Sequence, residues 1–167
     1  PALDEVVLDM TESAAFQREM ALLYGGSPTG IAELATMVAP GGATTTTCVV
    51  SAASWAGGLW AQMEGAEIDV YDLSGGPPAT YNKLNTNAVL QLTVTAVDPD
   101  TRTLTLTGDN ADLLAIDATV GVTPTYIFPR GCQGATGQTV TTVGKWFNGL
   151  DAILSNQGTL FNINAAT

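Results

Sequence analysis

The chain has 167 residues, of which 46% are hydrophobic and only 13% charged. Its 16 acids stand against 5 bases, a net charge of −11 that repels phosphate backbones and argues against a dedicated nucleic-acid reader. Histidine is absent, which removes Ser-His-Asp and Cys-His catalysis and every histidine-based zinc site.

The length suits one domain, or a domain with a small lobe. No apolar run approaches the roughly 18 residues of a membrane span, and no signal-peptide pattern is present. The first residue is Pro, so the chain is expected to be a piece of a longer or processed polypeptide. Cys48 and Cys132 could form one disulfide but not a disulfide framework, and two buried thiols are the expectation.

In chain order, Asp9-Met-Thr-Glu12 has capping-box spacing. Phe16, Met20, Leu23 and Tyr24 then share a helical face, and Gly25-Gly26 and Pro28 stop it. The spacing predicts a helix over 10–24. Residues 31–38 read as a weaker, helix-compatible stretch, ended by Pro40-Gly-Gly42. Residues 44–53, rich in Thr and Val, read as a strand. Residues 54–60 form a loop or short turn carrying Trp55 and Trp60. Residues 67–71 alternate acid and apolar, as a half-buried strand does. Residues 74–78 break the pattern.

Leu90, Leu92, Val94 and Ala96 alternate with polar residues, as do Leu104 and Leu106. Asp98-Pro-Asp-Thr101 between them has turn chemistry. This predicts a hairpin of 89–98 with 102–107, one face aliphatic and the other threonine. Tyr126-Ile-Phe128 reads as a further strand. Val143, Trp146, Phe147, Leu150, Ile153 and Leu154 form an amphipathic stripe, a return helix weakened by Gly144 and Gly149. The fold class expected is α+β, a small antiparallel sheet or barrel between helical flanks.

Candidate chemistry is sparse. Gly25-Gly-Ser-Pro-Thr-Gly30 has the glycines of a phosphate loop but follows a helix and lacks the Lys-Ser/Thr pair, so it reads as a helix stop. Glu64, Glu67, Asp69 and Asp72 form an acidic run. Paired carboxylates could hydrolyse glycosides, but a solvated strand face is the commoner origin. Asp98, Asp100, Asp109 and Asp112 could ligate calcium, yet no EF-hand loop exists, and turn chemistry is the default for Asp98 and Asp100. Trp55, Trp60 and Tyr71 could form a sugar-stacking platform, against the plainer expectation that the tryptophans anchor one end of the sheet. No catalytic, cofactor-binding or metal-ligating residue is assigned.

Several segments taken in order resemble the major capsid protein family of tailed bacteriophages, with the Hong Kong 97-type coat fold. They are Phe16-Gln-Arg-Glu-Met-Ala-Leu-Leu-Tyr-Gly25, the stretch from Ser54-Trp-Ala-Gly-Gly-Leu-Trp60 into Ile68-Asp-Val-Tyr71, the hairpin at 94–106, and Tyr126-Ile-Phe128 before a glycine-rich loop. Gly149-Leu-Asp-Ala-Ile-Leu-Ser-Asn-Gln-Gly-Thr-Leu-Phe161 is the most family-like piece, with Asn162 where the family has Gly. The resemblance implies a middle fragment: a helical flank at 1–43, an inserted β domain at 44–130, and a loop, return helix and C-terminal segment at 131–167. It implies a non-enzymatic coat subunit without cofactor, located in the virion capsid and assembled in the bacterial host cytoplasm. Its partners would be copies of itself in hexamers and pentamers, with other virion proteins. No sequence-specific nucleic acid or membrane contact is implied. The acidic inserted domain would face solvent or a neighbouring subunit.

Overall fold

In a computed structural model, residues 2–24, 29–74, 80–87, 89–131, 138–139, 150, 159–160 and 163–164 are described. The chain divides into two units, one of residues 1–28 with 145–167, the other Thr29–Gly144.

The first unit contains helix α1 (Ala2–Tyr24). It begins well before residue 10, so the Asp9–Glu12 spacing lies inside the helix. The Thr11 hydroxyl donates to the Val7 carbonyl, the back-bond of a mid-helix threonine and not a cap. Of the predicted stripe, Met20 is buried, Phe16 and Tyr24 are half-buried and Leu23 is exposed. The unit also holds a short antiparallel pair that we number last, Thr159–Leu160 with Ile163–Asn164. The predicted return helix lies outside the described residues except Leu150, which is helical and exposed.

The second unit is built from β1 (Ala32–Met37), β2 (Thr45–Val50), the single helical turn α2 (Gly57–Trp60), β3 (Ile68–Ser74), β4 (Thr80–Lys83), β5 (Thr93–Asp98), β6 (Thr103–Thr107), α3 (Asn110–Thr119), β7 (Thr125–Pro129) and β8 (Gln138–Thr139). The eight strands form one antiparallel sheet in the order β5-β6-β2-β1-β7-β3-β4-β8. The pair in the first unit is therefore β9 and β10.

The sheet closes on itself. The Gly65 N–H donates to the Val94 carbonyl (2.7 Å), Val94 N–H to Ala66 (3.0 Å) and Ile68 N–H to Leu92 (2.9 Å). Glu67 and Thr93 form an antiparallel bridge. β3 thus bonds β7 along one edge, and the start of its other edge meets β5. The strands β3, β7, β1, β2, β6 and β5 form a six-stranded antiparallel ring, so β5 is not left as a free edge. β4 and β8 continue the sheet past the closure point. Val50, Trp60, Met63, Ile68, Val70, Leu92, Val94, Leu104, Leu106, Leu113, Ile116 and Ile127 are all buried and supply the core.

Three expectations are corrected here. Residues 31–38 are not helical: β1 sits between β2 and β7, and pairing on both sides overrides a weak local preference. The compact unit that holds β1 runs from Thr29 to Gly144. Residues 67–71 are not half-buried, since Ile68 to Tyr71 are all buried, covered on both faces. Finally, 109–119 contains a helix that the strand-and-turn reading missed. The Asp109 carboxylate caps it by accepting from the Ala111 N–H (2.9 Å), and Leu113 and Ile116 bury one face.

The hairpin is present, with β5 and β6 joined by the Asp98-to-Arg102 turn, but its first strand starts at Thr93 and not at 89, residues 89–92 being loop. Its aliphatic face contains a bulge between Val94 and Ala96. The extra residue swings Ala96 outward, and Val97 takes the place opposite Leu104.

Candidate functional site

Five of the acids singled out in the sequence, Glu64, Asp69, Asp98, Asp109 and Asp112, accept from backbone N–H groups. Asp69 is 1% exposed. Its Oδ1 accepts from Lys83 Nζ (2.7 Å) and Asn85 Nδ2 (3.2 Å), and its Oδ2 from the Gly131 N–H (2.8 Å). Asn85, also buried, accepts from the Val70 N–H (2.8 Å) and donates to the Ile68 carbonyl (3.1 Å). It therefore bonds β3 as a neighbouring strand would, between the end of β4 and the start of β5. Asp69 holds that side chain in place and ties it to the exit from β7. A buried carboxylate tolerates this position because its lone pairs are satisfied.

Glu67 pairs with Arg130 at the surface, and Glu64 accepts from the Val97 N–H (3.1 Å). Asp72 is buried, with its Oδ1 unbonded. Three of the four acids are thus engaged in structural contacts: Asp69 and Glu67 in ion pairs, Glu64 with a backbone N–H.

Of the four aspartates considered for calcium, Asp98, Asp109 and Asp112 bond nearby backbone. Asp98 accepts from the backbone N–H groups of Asp100 (3.0 Å) and Thr101 (3.4 Å) and from the Thr101 hydroxyl (2.7 Å). Those bonds, with the Thr101 hydroxyl foremost, hold its carboxyl below the ordinary value. Asp109 caps α3. Asp112 is buried and accepts from the N–H groups of Thr86 (3.1 Å) and Asn87 (3.3 and 3.1 Å). Among the described residues no group of three or more Cys, Asp or Glu side chains could hold a metal ion.

Trp55 and Trp60 stack with centroids 5.7 Å apart and planes 5° from parallel. Trp60 is 0% exposed and its indole N–H is unbonded. Tyr71 is buried and meets Phe128 edge-on at 5.3 Å. Of the three rings only Trp55, half-buried, offers any surface to solvent, so they do not present an open sugar platform. Cys48 is a buried free thiol, pushed up to about 12 by desolvation; Cys132 lies outside the described residues, as do residues 25–28 of the glycine-rich loop.

Sequence reasoning missed two features. One is an open cleft of about 330 Å³ lined by β1 and the segment after α3, including Glu33, Leu34, Ala35, Val122, Thr123 and Pro124. The Thr123 hydroxyl is buried without a hydrogen-bond partner. Tyr126 is raised above its ordinary value by burial first and the Glu33 charge second. The other is the loop after Asn85, held by Asp112 from outside and by Asn87 from within. Asn87 Oδ1 accepts from the N–H groups of Val89 (2.8 Å) and Leu90 (3.3 Å). The alternation of 90–96 concealed this loop, because Leu90 falls in phase with the strand that follows. No protein-family model, curated protein or solved structure matches the chain.

Proposed function

We propose that this chain is a segment of a self-assembling coat subunit, the major capsid protein of a tailed phage, working through its shape and its contacts with copies of itself. The observation that carries the reading is how the acids are used. Asp69, Asp98, Asp109 and Asp112 each accept from backbone N–H groups at the turns and closure points of a filled six-stranded ring. Charge of this kind fixes a shape. A shell subunit needs that rigidity, together with weak contacts repeated many times. The acidic β unit would face solvent or a neighbouring subunit, since a lining of this charge repels packaged DNA. That placement fails if a particle map puts residues 44–130 on the lumenal side.

Sedimentation velocity on the full-length protein tests the reading. Discrete species of the mass of pentamers, hexamers or larger closed assemblies support it. A single monomeric species at every concentration and salt tried contradicts it.

A further inference from the structure

We infer that the loop carrying Val89 and Leu90 is a docking knob for a second copy of this chain, received by the cleft at the far end of α3; this rests on the self-assembly reading above. The loop is displayed, not loose. Asp112 accepts from the N–H groups at its base and Asn87 from those at its tip. Yet Val89 is 94% exposed, and Leu90 is exposed beside it. Backbone held at Thr86, Asn87, Val89 and Leu90 while two apolar side chains face water has given up part of its entropy in advance, which lowers the cost of docking.

The occupant follows from charge. The chain carries −11, and two of its few bases, Lys83 and Arg130, are already paired with Asp69 and Glu67. Copies of so acidic a molecule meet most favourably where charge is absent, because like charges face to face oppose association. Residues 84–97 are a run of 14 without a charged side chain, and the knob sits within it.

The receiving cleft lies at the other end of α3 from the knob's anchor. Asp112, in the first turn of α3, anchors the knob, whereas Val122, Thr123 and Pro124 follow the helix's last turn. The ten residues between the helix ends span about 15 Å. The cleft offers Leu34, Ala35, Val122 and Pro124, with Val122 itself 80% exposed and Glu33 its one charged lining residue. Knob and cleft are different surfaces, so the contact is heterologous and propagates head to tail, the arrangement that closes rings.

The test uses the full-length protein with Val89→Glu and, separately, Val122→Glu. Both side chains are exposed, so thermal midpoints should match the parent. Association should need at least about tenfold more protein, the loss expected when a central apolar anchor is replaced by a charge. For a positive readout, Val89→Cys and Val122→Cys chains in a Cys132→Ser background are mixed and treated with a short bismaleimide. A crosslink between the two chain types, exceeding that within either alone, supports the contact. If the parent associates while both glutamate variants associate equally well, or no mixed crosslink forms, the knob is overturned and the coat reading survives. A parent that never associates overturns both.

Discussion

Gly30 has φ of +61°, and a Cβ there would collide with the Ile127 carbonyl oxygen. The left-handed backbone alone costs a side chain about 1–2 kcal/mol, and the clash with β7 backbone adds to it. Gly30→Ala should therefore destabilise the protein by about 2 kcal/mol or more, read as a lower denaturation midpoint. An unchanged midpoint would mean that this turn is not as close to β7 as described. Asp69→Ala removes the acceptor for Lys83, Asn85 and Gly131 together. Because Lys83 is partly exposed and can recover hydration, the loss should be about 2–4 kcal/mol, below the full cost of a stranded buried charge. Cys48 gives a pH prediction with a definite sign. Its thiol is raised to about 12 in the fold from an ordinary value of 9.0. Below 9.0 both states hold the proton and stability is unaffected. Between 9.0 and about 12 the unfolded chain releases it and the fold does not, so stability falls as pH rises. In a Cys132→Ser variant, iodoacetamide should label Cys48 only as the protein unfolds; fast labelling of the folded protein would show the thiol to be accessible.

At the scale of elements, α3 and the loop it anchors should weaken together. Asp112→Ala strips the acceptor from Thr86 and Asn87, and hydrogen bonds to a charged group are worth about 1.5–3 kcal/mol. Amide exchange at Thr86 and Asn87 should accelerate more than exchange in β6; uniform acceleration would mean that Asp112 acts on global stability alone. The elements differ in how far local sequence reveals them. The β5–β6 hairpin is legible because alternation and an Asp-Pro-Asp-Thr turn agree. Its bulge is not, since Val94-Thr-Ala-Val97 carries no local mark of the extra residue. β1 is illegible for a tertiary reason: Ala32, Glu33, Leu34 and Ala35 suit a helix, and only the two flanking strands make them extended. α3 left a readable trace, an Asp cap with Leu113 and Ile116 three apart, but its aspartates drew attention as ligands and so hid the helix. Of the site, the acids were visible and their duties were not, because a carboxylate that serves a distant backbone N–H leaves no pattern along the chain.

At the scale of the whole molecule, the ring closure and the charge act together. Closure between residues 65–68 and 92–94 lies some 25 positions apart in sequence, so it follows from the curvature of the assembled sheet and no local motif announces it. A net charge of −11 keeps copies apart at low ionic strength, where the screening length is about 30 Å, and less so near 0.15 M, where it is about 8 Å. Raising salt should therefore promote association of the full-length protein; dissociation on adding salt would indicate contacts made by opposite charges instead. In no described helix is there a stretch long and apolar enough to cross a membrane. The proposal that the molecule acts by tiling with its own copies is tested most directly by electron microscopy of the expressed full-length protein. It predicts closed shells of uniform diameter whose density accommodates the six-stranded ring. A field of dispersed single particles, under conditions where the protein is folded and concentrated, would contradict it.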